Sequence, residues 1–217
     1  DYERYNKTML LHNFFFPHTH QTTPTSFWDE FDDFKVFSLG PKINDSDDEE
    51  YDTEPQFERL TPYQQKEKTL QDRLKCYYMR PRTKIEADGN CQFSALCDQV
   101  WDDKELHGKL REIITNWMRK NSNHVLPNGA KLKHFLERDR HSSWKKYCDY
   151  MAKDGTWGDQ LTLFSFAEMF RCRIVIFSSA SKEPLVIDPQ RAPHEKTIYL
   201  SHVHEIHYGS VEPIDND

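Results

Sequence analysis

Apolar residues recur every three or four positions in several parts of the chain, which is the spacing of one face of an α-helix. A helix is expected from Thr61 as N-cap and Pro62 as first helical residue to about Tyr78, and Pro81 ends it. The strongest pattern predicts a helix over Lys104–Lys120, with apolar Leu106, Leu110, Ile113, Ile114, Trp117 and Met118. Further helices are predicted over Gln92–Val100, Ala130–Arg138, Ser142–Lys153 and Gln160–Phe170.

Short runs rich in β-branched and aromatic residues predict strands. Cys172–Phe177 is typical of a buried strand, and shorter strands are expected at Thr83–Ala87, Leu185–Ile187, Thr197–Leu200 and Glu205–Val211. Most helices precede most strands, with one strand before the helix that starts near Gln92. This order predicts an α+β fold, or a mixed α/β layer, with a small central sheet flanked by helices.

The first 55 residues differ in composition from the rest of the chain. They contain four prolines and the acidic run at 45–50, and such runs are usually solvated. We therefore expect residues 1–55 to be a largely flexible N-terminal segment. A folded domain is expected over 56–213, followed by a short tail over 214–217.

Charge and hydropathy exclude some classes of function. The chain has 217 residues with a formal net charge of −7, which argues against nucleic acid as a partner, because nucleic-acid binding needs a concentrated basic surface. No apolar run approaches the roughly 18 residues that span a bilayer, and no signal-peptide pattern is present. The chain begins with Asp1 rather than Met, so we expect a fragment or a processed form.

The five cysteines are scattered and form no CxxC pair. An odd, scattered set does not fit a secreted disulfide framework, so we expect a reducing, cytoplasmic or nuclear location. Cys97, Cys148 and Cys172 have apolar neighbours and are expected in the core.

Cys91 is the strongest candidate for chemistry. It follows a predicted strand and a tight polar turn, and it opens the helix over Gln92–Val100. Unpaired N–H groups and the dipole at a helix N-terminus favour a thiolate, and the same N–H groups can stabilise an oxyanion. His207, far downstream in a strand-like context, completes a candidate pair of nucleophile and base.

Three histidines near the C-terminus raise the alternative of a metal site. His202, His204 and His207 have a spacing that could bind zinc. No thiol or acidic partner is evident in the sequence around them, so we favour no metal and no cofactor.

Three motifs together resemble a known family. Asp88–Phe93 followed by Ala95 and Leu96, Gly155–Asp159, and Leu200–Tyr208 occur in the order found in the ovarian-tumour (OTU) cysteine proteases, which are deubiquitinases. The resemblance covers roughly Thr61 to Pro213 and is closest to plant-type single-domain members. It implies a papain-like cysteine protease fold of OTU type, with the catalytic domain at 56–213.

The resemblance also implies catalytic roles. Cys91 would be the nucleophile that hydrolyses the isopeptide bond between the C-terminal glycine of ubiquitin and a lysine. His207 would be the general base and then the acid for the leaving amine. Asp88 is an active-site residue in much of the family and is a third catalytic candidate, although it could mostly shape the turn. No metal is needed, because the thiolate attacks directly.

Four further residues would form the binding surfaces of such a site. Gly89 and Asn90 would shape the turn whose backbone N–H groups, with that of Cys91, bind the oxyanion. Trp157 and Gly158 would line or support the channel for the diglycine tail of ubiquitin. The alternative for Trp157 is a place in the core.

The chain departs from the family pattern at the residue that orients the histidine. The common pattern has Asn or Asp two positions after the histidine, where this chain has Gly209. Ser210 follows, but a strand points it to the opposite face. Either the enzyme works as a dyad, or ubiquitin binding aligns the site, or an acid comes from elsewhere. The candidate acids are Glu86, Glu205 and the acidic segment 45–54.

These features predict a thiol-dependent deubiquitinase that acts on ubiquitin or polyubiquitin. Two alternatives remain open: a ubiquitin-binding pseudoenzyme or scaffold, and a protease for another ubiquitin-like modifier. We expect no nucleic-acid partner, no membrane association and a monomer.

Overall fold

The computed structural model describes residues 60–126, 128–136, 140–190 and 193–214. The predicted flexible segment 1–55 lies outside the described residues, as does the predicted tail apart from Ile214. The helices among the described residues are α1 (Pro62–Cys76), α2 (Cys91–Trp101), α3 (His107–Lys120), α4 (Trp144–Met151) and α5 (Gln160–Phe170). The strands are β1 (Met79–Thr83), β2 (Cys172–Ser178), β3 (Leu185–Ile187), β4 (Lys196–Val203) and β5 (His207–Pro213).

The strands form one mixed sheet in the order β1-β5-β4-β2-β3. Strands β2 and β4 are parallel, and the other neighbouring pairs are antiparallel. Helix α1 covers one face of the sheet, where a cluster of Leu70, Leu74, Met79, Phe177, Val203 and Val211 is buried. Helix α2 packs on β4 and β5 and α5 on β2 and β3, while α3 lies against α2, α4 and α5. The α+β class is therefore confirmed.

The apolar face predicted for α3 and the cysteines predicted in the core are buried. Leu110, Ile114 and Met118 are buried on α3, and Cys97 and Cys148 are fully buried as expected. Cys172 is buried as well, at 3% exposure. No helix in the described part of the chain has the length and apolar character needed to cross a bilayer.

The first strand differs from the prediction. Helix α1 ends at Cys76, and β1 follows at once as Met79–Thr83, so the strand predicted over Thr83–Ala87 is wrong. Pro81 was expected to end the helix but lies inside β1. A proline has no N–H to donate, and β1 tolerates it because this strand is at the edge of the sheet, with a register shift beside Pro81.

The helix predicted over Ala130–Arg138 is also wrong. In the described part of that range, residues 130–136, the structure has a 3₁₀ turn, Leu132–Phe135, and no α-helix. The preceding chain folds back on itself: Lys131 pairs with Val125, and Gly129 has a φ of 78°. Backbone hydrogen bonds made in this reversal are not available to a helix, so the apolar spacing there does not produce one.

Helix α2 is fixed to the sheet by the buried side chain of Gln99. Its amide donates to the hydroxyl of Ser210 and to the carbonyl of Val211, each at 2.8 Å. Its oxygen accepts the N–H of Tyr199 at 2.9 Å. The hydroxyl of Ser210 in turn donates to the carboxylate of Asp98. These contacts set the position of α2 along β5, and therefore the position of the residue at its N-terminus.

Replacing Gln99 should weaken the contact between α2 and the sheet. Gln99→Ala removes the side-chain partner of the Val211 carbonyl and of the Tyr199 N–H, while Ser210 keeps its bond to Asp98, so we expect a loss of about 2–4 kcal/mol in the free energy of unfolding. Urea denaturation measures it. Gln71→Ala, at a half-buried position of α1, is the control and should cost less than about 1 kcal/mol. Equal losses in both variants would contradict the role given to Gln99.

Candidate active site

Cys91 is the first residue of α2, directly after Asn90 as N-cap. Its thiol is buried, and the backbone N–H of Tyr208 donates to the sulfur at 3.4 Å. Tyr208 follows His207, the first residue of β5. The fold thus brings the two residues of the predicted pair to one place, where the start of α2 meets the start of β5.

His207 is half-buried, and its Nδ1 atom has no hydrogen-bond partner among the described residues. The chain enters β5 through a turn in which Glu205 has a φ of 60°. The strand predicted from Glu205 therefore begins only at His207. Glu205 does not share a strand face with His207, so the argument that made it a candidate orienting acid is wrong.

The turn before Cys91 is held by Asp88. One carboxylate oxygen accepts the N–H of Asn90 at 2.8 Å, and the other accepts the Asn90 amide at 3.4 Å. Partial burial raises the pKa of Asp88, but these hydrogen bonds outweigh it, so the net pKa is lowered. Since the Asn90 N–H is directed at Asp88, the Cys91 N–H is the candidate oxyanion donor nearest the sulfur.

Asn90 also joins this turn to the loop that carries Trp157. Its side-chain oxygen accepts from Arg111 at 2.6 Å and from the N–H of Gly155 at 3.0 Å. The two backbones touch, because a Cβ at Gly89 would lie 2.1 Å from the carbonyl oxygen of Gly155. Gly89 has a φ of 86°, which a side chain rarely adopts.

Arg111 is a further residue at this turn, and no motif in the sequence pointed to it. Its guanidinium lies 4.1 Å above the ring of Phe93 and donates to the carbonyl of Met151 at 2.9 Å. The signal was present in the pattern: Arg111 lies three residues before Ile114 and seven before Met118, on the apolar face of α3. A charge on an apolar face is expected to have a specific buried partner.

Trp157 lies on the surface with 60% of its area exposed, so the alternative that it is a core residue is wrong. Gly158, the next residue, lies against α2, and a Cβ there would be 2.1 Å from the side-chain oxygen of Gln92. Gln92 also donates to the carbonyl of Asp159 at 3.2 Å and accepts from Thr162 at 2.6 Å. The Trp157 loop is therefore held against the residue that follows Cys91.

The protonation of the pair differs from the prediction. Burial raises the pKa of the Cys91 thiol, and the N–H groups of Tyr208 and Gln92 only partly offset it. Burial also lowers the pKa of His207, despite the nearby charges of Asp88, Glu86 and Glu67. The helix N-terminus alone was expected to favour the thiolate, but burial of the sulfur is the larger effect. At neutral pH the resting pair is a thiol and a neutral imidazole.

Glu86 and Glu67 are two of the acidic residues near His207. Glu86 lies 3.4 Å from the amine of Lys84 and 3.9 Å from that of Lys104. Glu67 approaches from α1, a source of charge that the sequence analysis did not identify. The acidic segment 45–54 lies outside the described residues.

The histidines of the alternative zinc site are arranged differently from a metal centre. The ring of His202 stacks on Tyr208 with centroids 4.2 Å apart, and burial lowers the pKa of His202 to about 3. Among the residues with described positions, no group of three potential metal ligands occurs.

Comparison with known proteins decides the family. The model of a family described as OTU-like cysteine protease matches residues 86–209, which include all three motifs. The chain belongs to the OTU-like cysteine proteases. Plant OTU proteins are among its relatives, in agreement with the predicted resemblance.

Two plant relatives illustrate the extent of the OTU match. OVARIAN TUMOR DOMAIN-containing deubiquitinating enzyme 9 of Arabidopsis thaliana is 32% identical over 146 residues, which is 66% of this chain and 39% of that protein. OVARIAN TUMOR DOMAIN-containing deubiquitinating enzyme 12 of Arabidopsis thaliana is 30% identical over 132 residues, which is 60% of this chain and 55% of that protein. The chain thus spans about two fifths to just over half of the length of these relatives.

A solved structure confirms the OTU fold. The OTU domain of OTUD1 superposes with a TM-score of 0.55 at 20% sequence identity, over 69% of this chain and 96% of that domain. The predicted papain-like fold of OTU type is therefore correct. The catalytic and binding roles of Cys91, His207, Asp88, Gly89 and the other site residues stay predictions.

A methyl group at Gly158 should disturb the OTU site. Gly158→Ala drives a Cβ into Gln92, and we expect a loss of about 1–3 kcal/mol in the free energy of unfolding. Gly108→Ala on α3 is the control, because nothing lies within 4 Å of its Cβ. That variant should be unchanged or more stable by up to about 1 kcal/mol. Thermal unfolding compares the two, and a Gly158→Ala protein as stable as the control would contradict the close packing.

The raised pKa of Cys91 has a kinetic consequence. The thiolate is the nucleophile, so alkylation of Cys91 by iodoacetamide should speed up about tenfold per pH unit from pH 6 to 8, with no plateau. Peptide mapping by mass spectrometry follows Cys91 in a Cys76→Ser background, which removes the exposed thiol. A rate that is already constant below pH 7 would show a preformed thiolate and contradict this assignment.

Proposed function

We propose that this domain is a thiol-dependent deubiquitinase that hydrolyses isopeptide bonds at the C-terminus of ubiquitin. The observation that carries the proposal is the contact between the Cys91 sulfur and the backbone N–H next to His207. Membership of the OTU-like cysteine proteases supports it. So do the names of the relatives, among them deubiquitinating enzymes and a putative ubiquitin thioesterase of an iridescent virus.

In the proposed acylation step, His207 removes the proton of the Cys91 thiol and the sulfur attacks the carbonyl carbon of the C-terminal glycine. The carbonyl oxygen gains negative charge, which the Cys91 N–H at the start of α2 can stabilise. His207 then gives its proton to the lysine nitrogen as the carbon–nitrogen bond breaks. A thioester between Cys91 and ubiquitin remains.

In the proposed deacylation step, His207 takes a proton from water, whose oxygen attacks the thioester. The carbon–sulfur bond breaks as His207 returns its proton to the Cys91 sulfur, and ubiquitin leaves with a carboxyl group that loses its own proton to solvent. Trp157, exposed beside the nucleophile turn, is suited to cover the extended glycyl tail, and Gly158 keeps the adjacent wall close. The neutral resting pair needs no preformed thiolate, because His207 can take the thiol proton as the sulfur attacks.

A ubiquitin-binding pseudoenzyme is the second candidate. Two observations favour it: Gly209 offers no side chain to orient the imidazole, and His207 Nδ1 has no partner within the described ranges. Such a protein would bind ubiquitin without turnover. Polyubiquitin as substrate, a monomeric state and a cytoplasmic or nuclear location belong to the same proposal and derive from the sequence.

The proposed nucleophile can be tested by comparing variants of the buried Cys91 and the exposed Cys76. Cys91→Ala should abolish cleavage of ubiquitin chains, because it removes the thiol that contacts the backbone next to His207. Cys76→Ala removes an exposed cysteine on α1 and should leave the rate unchanged. Gel electrophoresis of di- and tetraubiquitin digests measures the cleavage.

One result would reject the deubiquitinase, and another would reject its nucleophile. Chains that remain intact with wild-type protein, while a ubiquitin-binding assay is positive, would favour the pseudoenzyme. Equal cleavage by wild type and Cys91→Ala would exclude Cys91 as nucleophile. Cleavage of another ubiquitin-like modifier but not of ubiquitin would keep the mechanism and change the substrate.

A further inference from the structure

A neighbouring side chain occupies the space that a side chain at position 209 would fill. In the register of β4 and β5, Ser201 lies directly opposite Gly209, and Val203 lies opposite His207. An ideal Cβ at Gly209 would be 2.5 Å from the hydroxyl oxygen of Ser201. The hydroxyl therefore occupies the space into which a side chain at 209 would project.

Ser201 is on the same face of the sheet as His207. Directly opposed residues of an antiparallel pair share a face, and so do residues two apart on one strand. Ser201, Gly209 and His207 therefore lie together on the side covered by α1. Ser210 lies on the other side, where it bonds to Asp98 and Gln99.

The distance from the Cβ position matches that of an orienting residue. The side-chain oxygen of Asn or Asp lies about 2.4 Å from its own Cβ, from standard C–C and C=O bond lengths. The Ser201 oxygen is 2.5 Å from the Cβ position of residue 209. An oxygen from β4 is thus at the same reach as the oxygen that Asn or Asp would supply from β5.

The titratable groups around His207 are the carboxylates of Asp88, Glu86 and Glu67, together with the neutral ring of His202 and the neutral Cys91 thiol. Asp88 is bonded to Asn90 within the turn, and Glu86 lies between two lysines. Helix α1 contributes Glu67 from above the sheet. None of these carboxylates is bonded to the imidazole in the described structure, whose buried Nδ1 has no partner there.

We propose that Ser201 is the positioning residue of this site: after a side-chain rotation, its hydroxyl accepts the N–H of the His207 Nδ1 atom, which has no partner among the described residues, in place of the side chain absent at Gly209. The proposal rests on the proposed function for its catalytic effect but not for its geometry. A neutral hydroxyl fixes the tautomer and direction of the ring without adding a negative charge. Gly209 is then explained by space, since a larger residue would displace the hydroxyl.

The first test is Ser201→Ala. We expect kcat for ubiquitin-chain cleavage to fall about 10- to 100-fold with KM nearly unchanged, as for loss of a residue that orients a ligand or base. Thr197→Ala, at a half-buried position on the same face of β4, is the matched control and should keep wild-type kinetics. Unchanged kcat in Ser201→Ala would overturn the proposal.

Rescue separates positioning from a merely structural role. In Ser201→Ala, the oxygen that blocks position 209 is gone, so adding Gly209→Asn should restore at least the wild-type kcat. Failure of the double variant to exceed Ser201→Ala, with both proteins folded by circular dichroism, would contradict the proposal. A loss of kcat in Glu67→Gln together with a normal Ser201→Ala would assign the orientation to α1 instead.

A readout without ubiquitin distinguishes this inference from the proposed function. Long-range ¹H–¹⁵N NMR of the full chain reports the tautomer of the His207 ring. We expect one dominant tautomer in wild type and a mixture in Ser201→Ala. That result in a protein without ubiquitin cleavage would keep the positioning role and reject the deubiquitinase, whereas identical spectra would reject the positioning role.

Discussion

Helix α2 is fixed to strand β5 near both of its ends, and the candidate site depends on this contact. Near its C-terminal end, Gln99 bonds Ser210 and the backbone of Val211 in a buried environment. At its N-terminal end, the Cys91 sulfur accepts the N–H of Tyr208. A helix held to a strand at two points cannot slide along it, so the thiol stays against the backbone N–H that follows His207, although 115 residues lie between Cys91 and His207 in the sequence.

A second set of contacts holds the loops beside the contact between α2 and β5. Asn90 accepts from the buried Arg111 and from Gly155, so one amide joins the nucleophile turn to the Trp157 loop. Burying a guanidinium is costly, and the ring of Phe93 and the carbonyl of Met151 offset part of that cost. The arrangement gives rigid walls around a thiol that burial keeps protonated at rest.

Much of the fold could be predicted because apolar spacing reports local structure: α5 and β3 have the predicted bounds, and α2 begins one residue before its prediction. The errors have non-local causes. Pro81 lies in a strand because that strand is at an edge, which only the sheet order reveals. The pair of Cys91 and His207 was predicted from motifs, whereas Ser201 was not, because its place opposite Gly209 depends on the register of two strands.

In the proposed site a hydroxyl from β4, rather than a carboxylate, orients the imidazole of His207. The most direct measurement is a crystal structure of the wild-type chain bound covalently to ubiquitin through Cys91. We expect the Ser201 oxygen within about 3.2 Å of the His207 ring nitrogen that faces away from the sulfur. A carboxylate oxygen of Glu67, Glu86 or Asp88 on that nitrogen, with Ser201 turned away, would contradict it.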